Sequence, residues 1–253
     1  MLDKVKMWDG TCRVLLGQEI GDISLYSAYL KKFLPTVEKK KSVLSGKGVA
    51  ISDNYKNARF ISGEEAEEYR KVMGKEKLDI NKIKDFDSII ESLQEKICYA
   101  GNIHLGKFSE IENSNRLIDA IAVHDSDSVF YSKYIGYSHL VRYSEHIFGS
   151  MCISKTRFGI RNFETYEDTR LMETVRTYHS SDCYYTANLE GCHNCMFSFN
   201  LRNKGNCIGN VQLAFDRYTS LKTKLIEDIV TNLRSKKQLP SIVEIVGDRL
   251  WAI

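Results

Sequence analysis

Beyond residue 100 the chain repeats itself every twelve residues, and this period restricts the fold more than any other property of the sequence. In lines of twelve from Ile103, the twelfth position reads Ser114, Ser126, Ser138, Ser150, Asn162, Thr174, Thr186, Ser198 and Asn210. The third runs from Leu105, Leu117, Val129, Val141 and Ile153 through Thr165 and Thr177 to Leu189, Leu201 and Leu213. The ninth is Ile111, Val123, Ile135, Ile147, Gly159, Leu171, Cys183, Cys195 and Cys207, and the sixth is mostly small, from Ala120 and Ser132 to Cys192. A residue class that returns once per rung stacks on itself about 4.8 Å apart, as neighbouring strands do. Inward columns three residues apart make a rung of corners and very short strands. Small Ser and Asn suit such corners because they bond nearby backbone groups.

The fold expected is therefore α+β, mainly a β-solenoid (a parallel β-helix) of about nine 12-residue rungs over residues 101–214. Residues 1–100 form an N-terminal α/β capping region, and residues 215–253 a C-terminal capping helix and short strand. In the first region Ser62-Gly63-Glu64-Glu65 is a capping-box pattern, opening a helix through Glu67, Tyr69 and Arg70 that stops at Gly74. Ile80, Ile83, Phe86, Ile90, Leu93 and Ile97 recur at helical spacing as one apolar face. A short helix falls around Ser24 to Phe33, and Ser45-Gly46-Lys47-Gly48 is a loop without Walker spacing. After Ala214, Thr219 caps a helix carrying Leu221, Leu225, Ile229 and Leu233, and Ile242 to Val246 reads as a strand. The two end regions cover the open edges of the solenoid.

The rung pattern resembles the flat 12-residue solenoids of beetle antifreeze proteins, whose inward residues also fall at every third position. Those proteins carry paired threonines on one face and a disulfide in each rung, and this chain has neither, so ice binding is not implied. Leu201-Arg202-Asn203-Lys204, Cys207-Ile208, Asn210, Gln212 and Tyr218 form a motif similar to one in uncharacterised bacterial proteins with Cys-x-x-Cys runs. That likeness spans Cys183 to Tyr218 and implies no activity; most rungs here also lack cysteine.

Two sets of residues could carry function. Cys183, Cys195 and Cys207 stack in one column and Cys192 lies in the next, a possible set of four thiolates for zinc or an iron–sulfur cluster. Free cysteine also packs as a small hydrophobe, and the column's earlier members are aliphatic, which favours core and no cofactor. The tenth column, Phe148, Ile160, Met172, Tyr184, Met196 and Ile208, forms an apolar stripe. Exposed, it is an interaction face for a protein partner or a second copy; otherwise the C-terminal helix covers it or it lines a wider core. The first column adds Met151, Phe163, Val175, Phe199 and Val211.

No Ser/His/Asp or paired-carboxylate arrangement stands out, so the expectation is a non-enzymatic structural or protein-interaction scaffold within a larger assembly. His124, Asp125 and Asp127 read as an ordinary turn. Tyr131, Lys133, Tyr134, Tyr137, Arg142, Tyr143 and His146 form an aromatic-basic group that could stack on single strands. A net charge of only +3 does not by itself suggest a nucleic-acid partner, and tyrosine is also simply well suited to exposed strands, so none is expected. The N-terminus has no apolar signal region, no run is long enough to span a membrane, and seven cysteines without a leader read as reduced thiols. The expected location is cytoplasmic.

Overall fold

The computed structural model describes residues 3–52, 58–73, 77–94 and 96–247. Residues 103–212 wind as a parallel β-solenoid of about nine turns, preceded by short helices and strands and followed by a long helix. From Ser109 onward the parallel pairings keep the twelve-residue offset, so that Val129 lies between Leu117 and Val141, and Cys195 between Cys183 and Cys207. The first rung is out of step: His104 faces Leu117, and Leu105, expected at the head of the third column, is exposed.

The corners have a regular cause. From Glu110 to Asn206 every third residue has positive φ, and all but Gly149 and Gly191 are non-glycine. Left-handed backbone is uncommon for such residues and costs most when the side chain is β-branched. None of these positions holds Val, Ile, Thr or Pro. The residue after each corner points inward, which places the third, sixth, ninth and twelfth columns in the core. Leu117, Val123, Val129, Ile135, Val141, Ile147 and Ile153 are fully buried as one cluster.

Turning inward at every third residue also leaves buried amides that the ladder does not pair. The small polar columns satisfy them. Ser138 N–H donates to Ser126 Oγ at 3.0 Å, and Ser126 Oγ–H donates to His124 O at 2.8 Å. The same relay links Ser144 to Ser132 and Cys192 to Ser180. Thr156, Asn162, Thr165, Asp168 and Thr174 form a buried polar layer that separates the early aliphatic core from the later cluster around Leu171 and Leu189. Gly159 makes room for it, since a Cβ there would lie 2.6 Å from Asn162 Nδ2.

The first rung is capped by two small sheets. Strands β1 (Glu38–Lys41) and β2 (Gly48–Ile51) are antiparallel; β3 (Arg59–Ser62) and β4 (Cys98–Gly101) are parallel. Asn102 joins them to the solenoid, accepting from Ala50 N–H and donating to Gly48 O. The helices at the chain's start pack on the tenth-column stripe. Helix α1 (Lys4–Leu16), a 3-10 turn at Ile23–Tyr26 and α2 (Ser27–Lys31) lie along the side of the rod, not over its end.

Helix α3 (Ala66–Met73) follows the Ser62–Glu65 capping box as expected, while Gly74 lies outside the described residues. The next helical face differs from expectation. A 3-10 turn at Ile80–Lys82 and helix α4 (Phe86–Gln94) replace one long helix, because Asp79 caps Asn81 and the Asp85–Ser88 pair starts a new turn. Its apolar residues face solvent, with Ile80 80% and Phe86 75% exposed.

Helix α5 (Phe215–Lys236) starts a turn before Thr219, which sits inside it and bonds Phe215 O. Residues Ile242–Val246 form helix α6, not a strand: Ser241 and Glu244 make a capping box that overrides the β-branched preference. No helix among the described residues is long and apolar enough to cross a membrane.

Candidate functional site

Along the apolar stripe, Phe148, Ile160, Met172, Tyr184 and Met196 are buried, and Ile208 is partly buried. Their cover comes from this chain: Trp8, Leu15 and Leu16 of α1, Tyr26 of the 3-10 turn, Tyr29 and Leu30 of α2, and Tyr218, Ile229 and Leu233 of α5. Trp8 meets Phe148 edge-on at 5.4 Å, and Tyr184 donates to Leu15 O at 2.9 Å. The six residues therefore do not present a free face; the packing need that makes a docking surface is met internally. Gly149 permits the close approach of α2, since a Cβ there would lie 2.9 Å from Leu30 O.

Next to this interface lies a buried ion pair. Arg161 Nε donates to Glu173 Oε1 at 2.6 Å, both side chains being fully buried. Arg161 also donates to the Tyr29 and Lys32 carbonyls of the N-terminal segment and to Ser241 Oγ. Glu173 accepts from Tyr29 Oη, Ser241 Oγ and Ile242 N–H. The pair joins two rungs, α2 and the α6 cap, with its polar atoms satisfied. Its signal was readable as opposite charges twelve apart in the eleventh column.

Cys183, Cys192, Cys195 and Cys207 do come together, in a buried cluster with Leu171 and Leu189. Each thiol points to the carbonyl two residues back, from 3.3 Å at Cys183 to 3.6 Å at Cys195, the same bond the serine columns make. The hydrogen bond from Cys183, helped by Cys207 and Cys192, pulls Cys195 down to about 7 against its burial. That shared bond raises Cys183, and burial raises Cys192 and takes Cys207 to about 11. Among the described residues no group of three or more His, Cys, Asp or Glu is arranged to hold a metal ion. The four thiols are buried in the ladder with Leu171 and Leu189, and the bond from Cys183 holds Cys195 below its ordinary value.

The aromatic-basic group is divided among three faces because the corners put its members in different columns. Tyr131 and Tyr143 stack at 5.0 Å on one edge, Tyr134, His146 and Phe158 stack on another, and Tyr137 is buried under the N-terminal helices. Buried His124 bonds Asp125, and Asp127 pairs with Arg116 and His139. Burial lowers the His124 pKa.

No known family model matches the chain, and no curated protein is similar to it. Neither the likeness to antifreeze solenoids nor that to the bacterial Cys-x-x-Cys proteins gains support from those comparisons.

Proposed function

We propose that the chain is a non-enzymatic scaffold, a rigid solenoid module that contacts another protein within a larger assembly. The observation that carries this reading is an exposed apolar region near the last rungs. Phe197, Phe199, Ile245 and Val246 surround a groove of about 390 Å³, and Phe199 is 54% exposed. Contiguous exposed apolar surface of this kind marks protein contacts. The body behind it is stiff, since each rung is bonded to its neighbours by backbone ladders and by buried hydroxyl relays. The rival reading, a zinc or iron–sulfur protein using Cys183, Cys192, Cys195 and Cys207, has only the proximity of the thiols in its favour.

The test combines mass measurement by light scattering over a range of concentrations with pull-downs using the tagged chain. The expected outcome is a defined complex, with itself or with a stoichiometric partner, that is lost in Phe199→Glu/Ile245→Glu while the melting transition stays cooperative. A strict monomer that binds nothing, or a complex indifferent to those substitutions, would overturn the reading.

A further inference from the structure

A groove of about 540 Å³ runs between the end of α1, the outer face of the solenoid and the first turns of α5. It is separate from the apolar region near the last rungs. Leu15 and Leu16 form one wall, Phe215 and Ile226 the other, and the Tyr184 ring is part of the lining. That size and lining suit a small organic ligand.

Two donors in the lining make no hydrogen bond among the described residues. Lys222 Nζ makes no hydrogen bond among the described residues; its nearest carboxylate oxygen, Asp182 Oδ1, is 4.0 Å away, and it lies 5.2 Å from the centre of the Tyr184 ring. Arg170 already holds Asp182 through two bonds of 2.7 Å. Glu227, the other acid of the lining, is exposed to solvent. The Lys222 side chain is only 26% exposed, and burial works against its charge, lowering its pKa. The second donor is the Tyr218 hydroxyl, buried and without a hydrogen-bond partner among the described residues. A cation held only by a 4.0 Å ion pair and a hydroxyl without a hydrogen-bond acceptor among the described residues, set in apolar walls, suit a ligand with an apolar body and an anionic oxygen group.

We infer that this groove binds a small amphipathic carboxylate, with its head group on Lys222 and its chain between α1 and α5. Bound there, the carboxylate supplies the hydrogen bond that Asp182, 4.0 Å away and held by Arg170, does not make, and its chain covers exposed parts of Val14 and Phe215. The ligand also bridges two helices from opposite ends of the chain, so occupancy stabilises their docking.

Calorimetric titration of the purified chain with octanoate, octanol and octylammonium at neutral pH tests this. Octanoate is expected to bind one site at least tenfold more tightly than octanol, with octylammonium weakest. Lys222→Met should weaken octanoate at least tenfold while leaving octanol unchanged, and Lys222→Arg should retain the preference. Ile226→Trp, which fills the groove, should remove binding of both. Equal affinity for octanoate and octanol, an unaffected Lys222→Met variant, or no octanoate binding at millimolar concentration would each overturn the assignment. Circular dichroism melting of every variant separates loss of binding from loss of fold.

Discussion

A serine in the sixth or twelfth column both accepts from the amide one rung on and donates to the carbonyl two residues back. Ser126→Ala removes both bonds and leaves the Ser138 amide buried without a partner. The expected loss is about 1–3 kcal/mol, read from the denaturant midpoint. Asp168 occupies the same kind of position with an acid. Burial raises its pKa from 3.8 to about 8, although it accepts from the Ser180 and Tyr166 amides. The fold keeps a proton there that the unfolded chain releases. Its contribution is therefore complete below about pH 4 and is lost as pH rises to about 8, at no more than about 1.4 kcal/mol per pH unit. Asp168→Ser should flatten that slope and raise the melting temperature at pH 8. His124 acts in the opposite sense: with its pKa lowered from 6.5, it destabilises the fold as pH falls below that value. The thiols allow a further check. Iodoacetamide followed by mass spectrometry should label half-buried Cys98 and Cys152 in the native protein and leave Cys183, Cys192, Cys195 and Cys207 unmodified. Rapid labelling of Cys195 would show that the cluster opens to solvent.

At the scale of elements, the helices matter as cover. Amphipathic α1 and α5 together cover the tenth column from Phe148 to Met196, both belonging to the same buried cluster. The Arg161–Glu173 pair fixes where α2 and α6 dock, and a buried charge left without its partner is costly. Glu173→Gln removes the charge facing Arg161 and should cost about 3–5 kcal/mol. It should also speed proteolysis near residues 32–36 and 241–247, while the solenoid remains resistant. Uniform loss of protection across the whole chain would indicate that the pair supports the rungs and not the docking of the helices. The corners make a sharper distinction. Tyr131 is half exposed at positive φ. Tyr131→Val should therefore destabilise by about 1–2 kcal/mol more than Tyr131→Asn, although valine is the better strand former.

For the whole molecule, the main danger of a parallel solenoid is its open end. Among the described residues, the strand Phe199–Arg202 pairs with one neighbour. Asn210 occupies its free side, accepting from Phe199 N–H and donating to Phe199 O with its side-chain amide. Arg202 covers the Leu201 carbonyl. Asn210→Ala removes this stand-in for a further rung and should produce concentration-dependent association by light scattering. The repeat made most of this architecture legible beforehand: the rung length, the inward columns, the last rung near Ala214 and the stacking of three cysteines follow from periodicity, because pairing between identical rungs is local information copied along the chain. The corner columns were legible too, in their lack of Val, Ile, Thr and Pro. The destination of the tenth column was not. A stripe of Phe, Met and Tyr has the same periodicity whether it meets a partner or the chain's own helices, and only tertiary packing brought α1, α2 and α5 onto it. The groove at Lys222 depends on that same docking, between residues too distant in sequence for any local pattern to couple them, whereas the helical state of Ile242–Val246 lies in the local Ser241–Glu244 capping box.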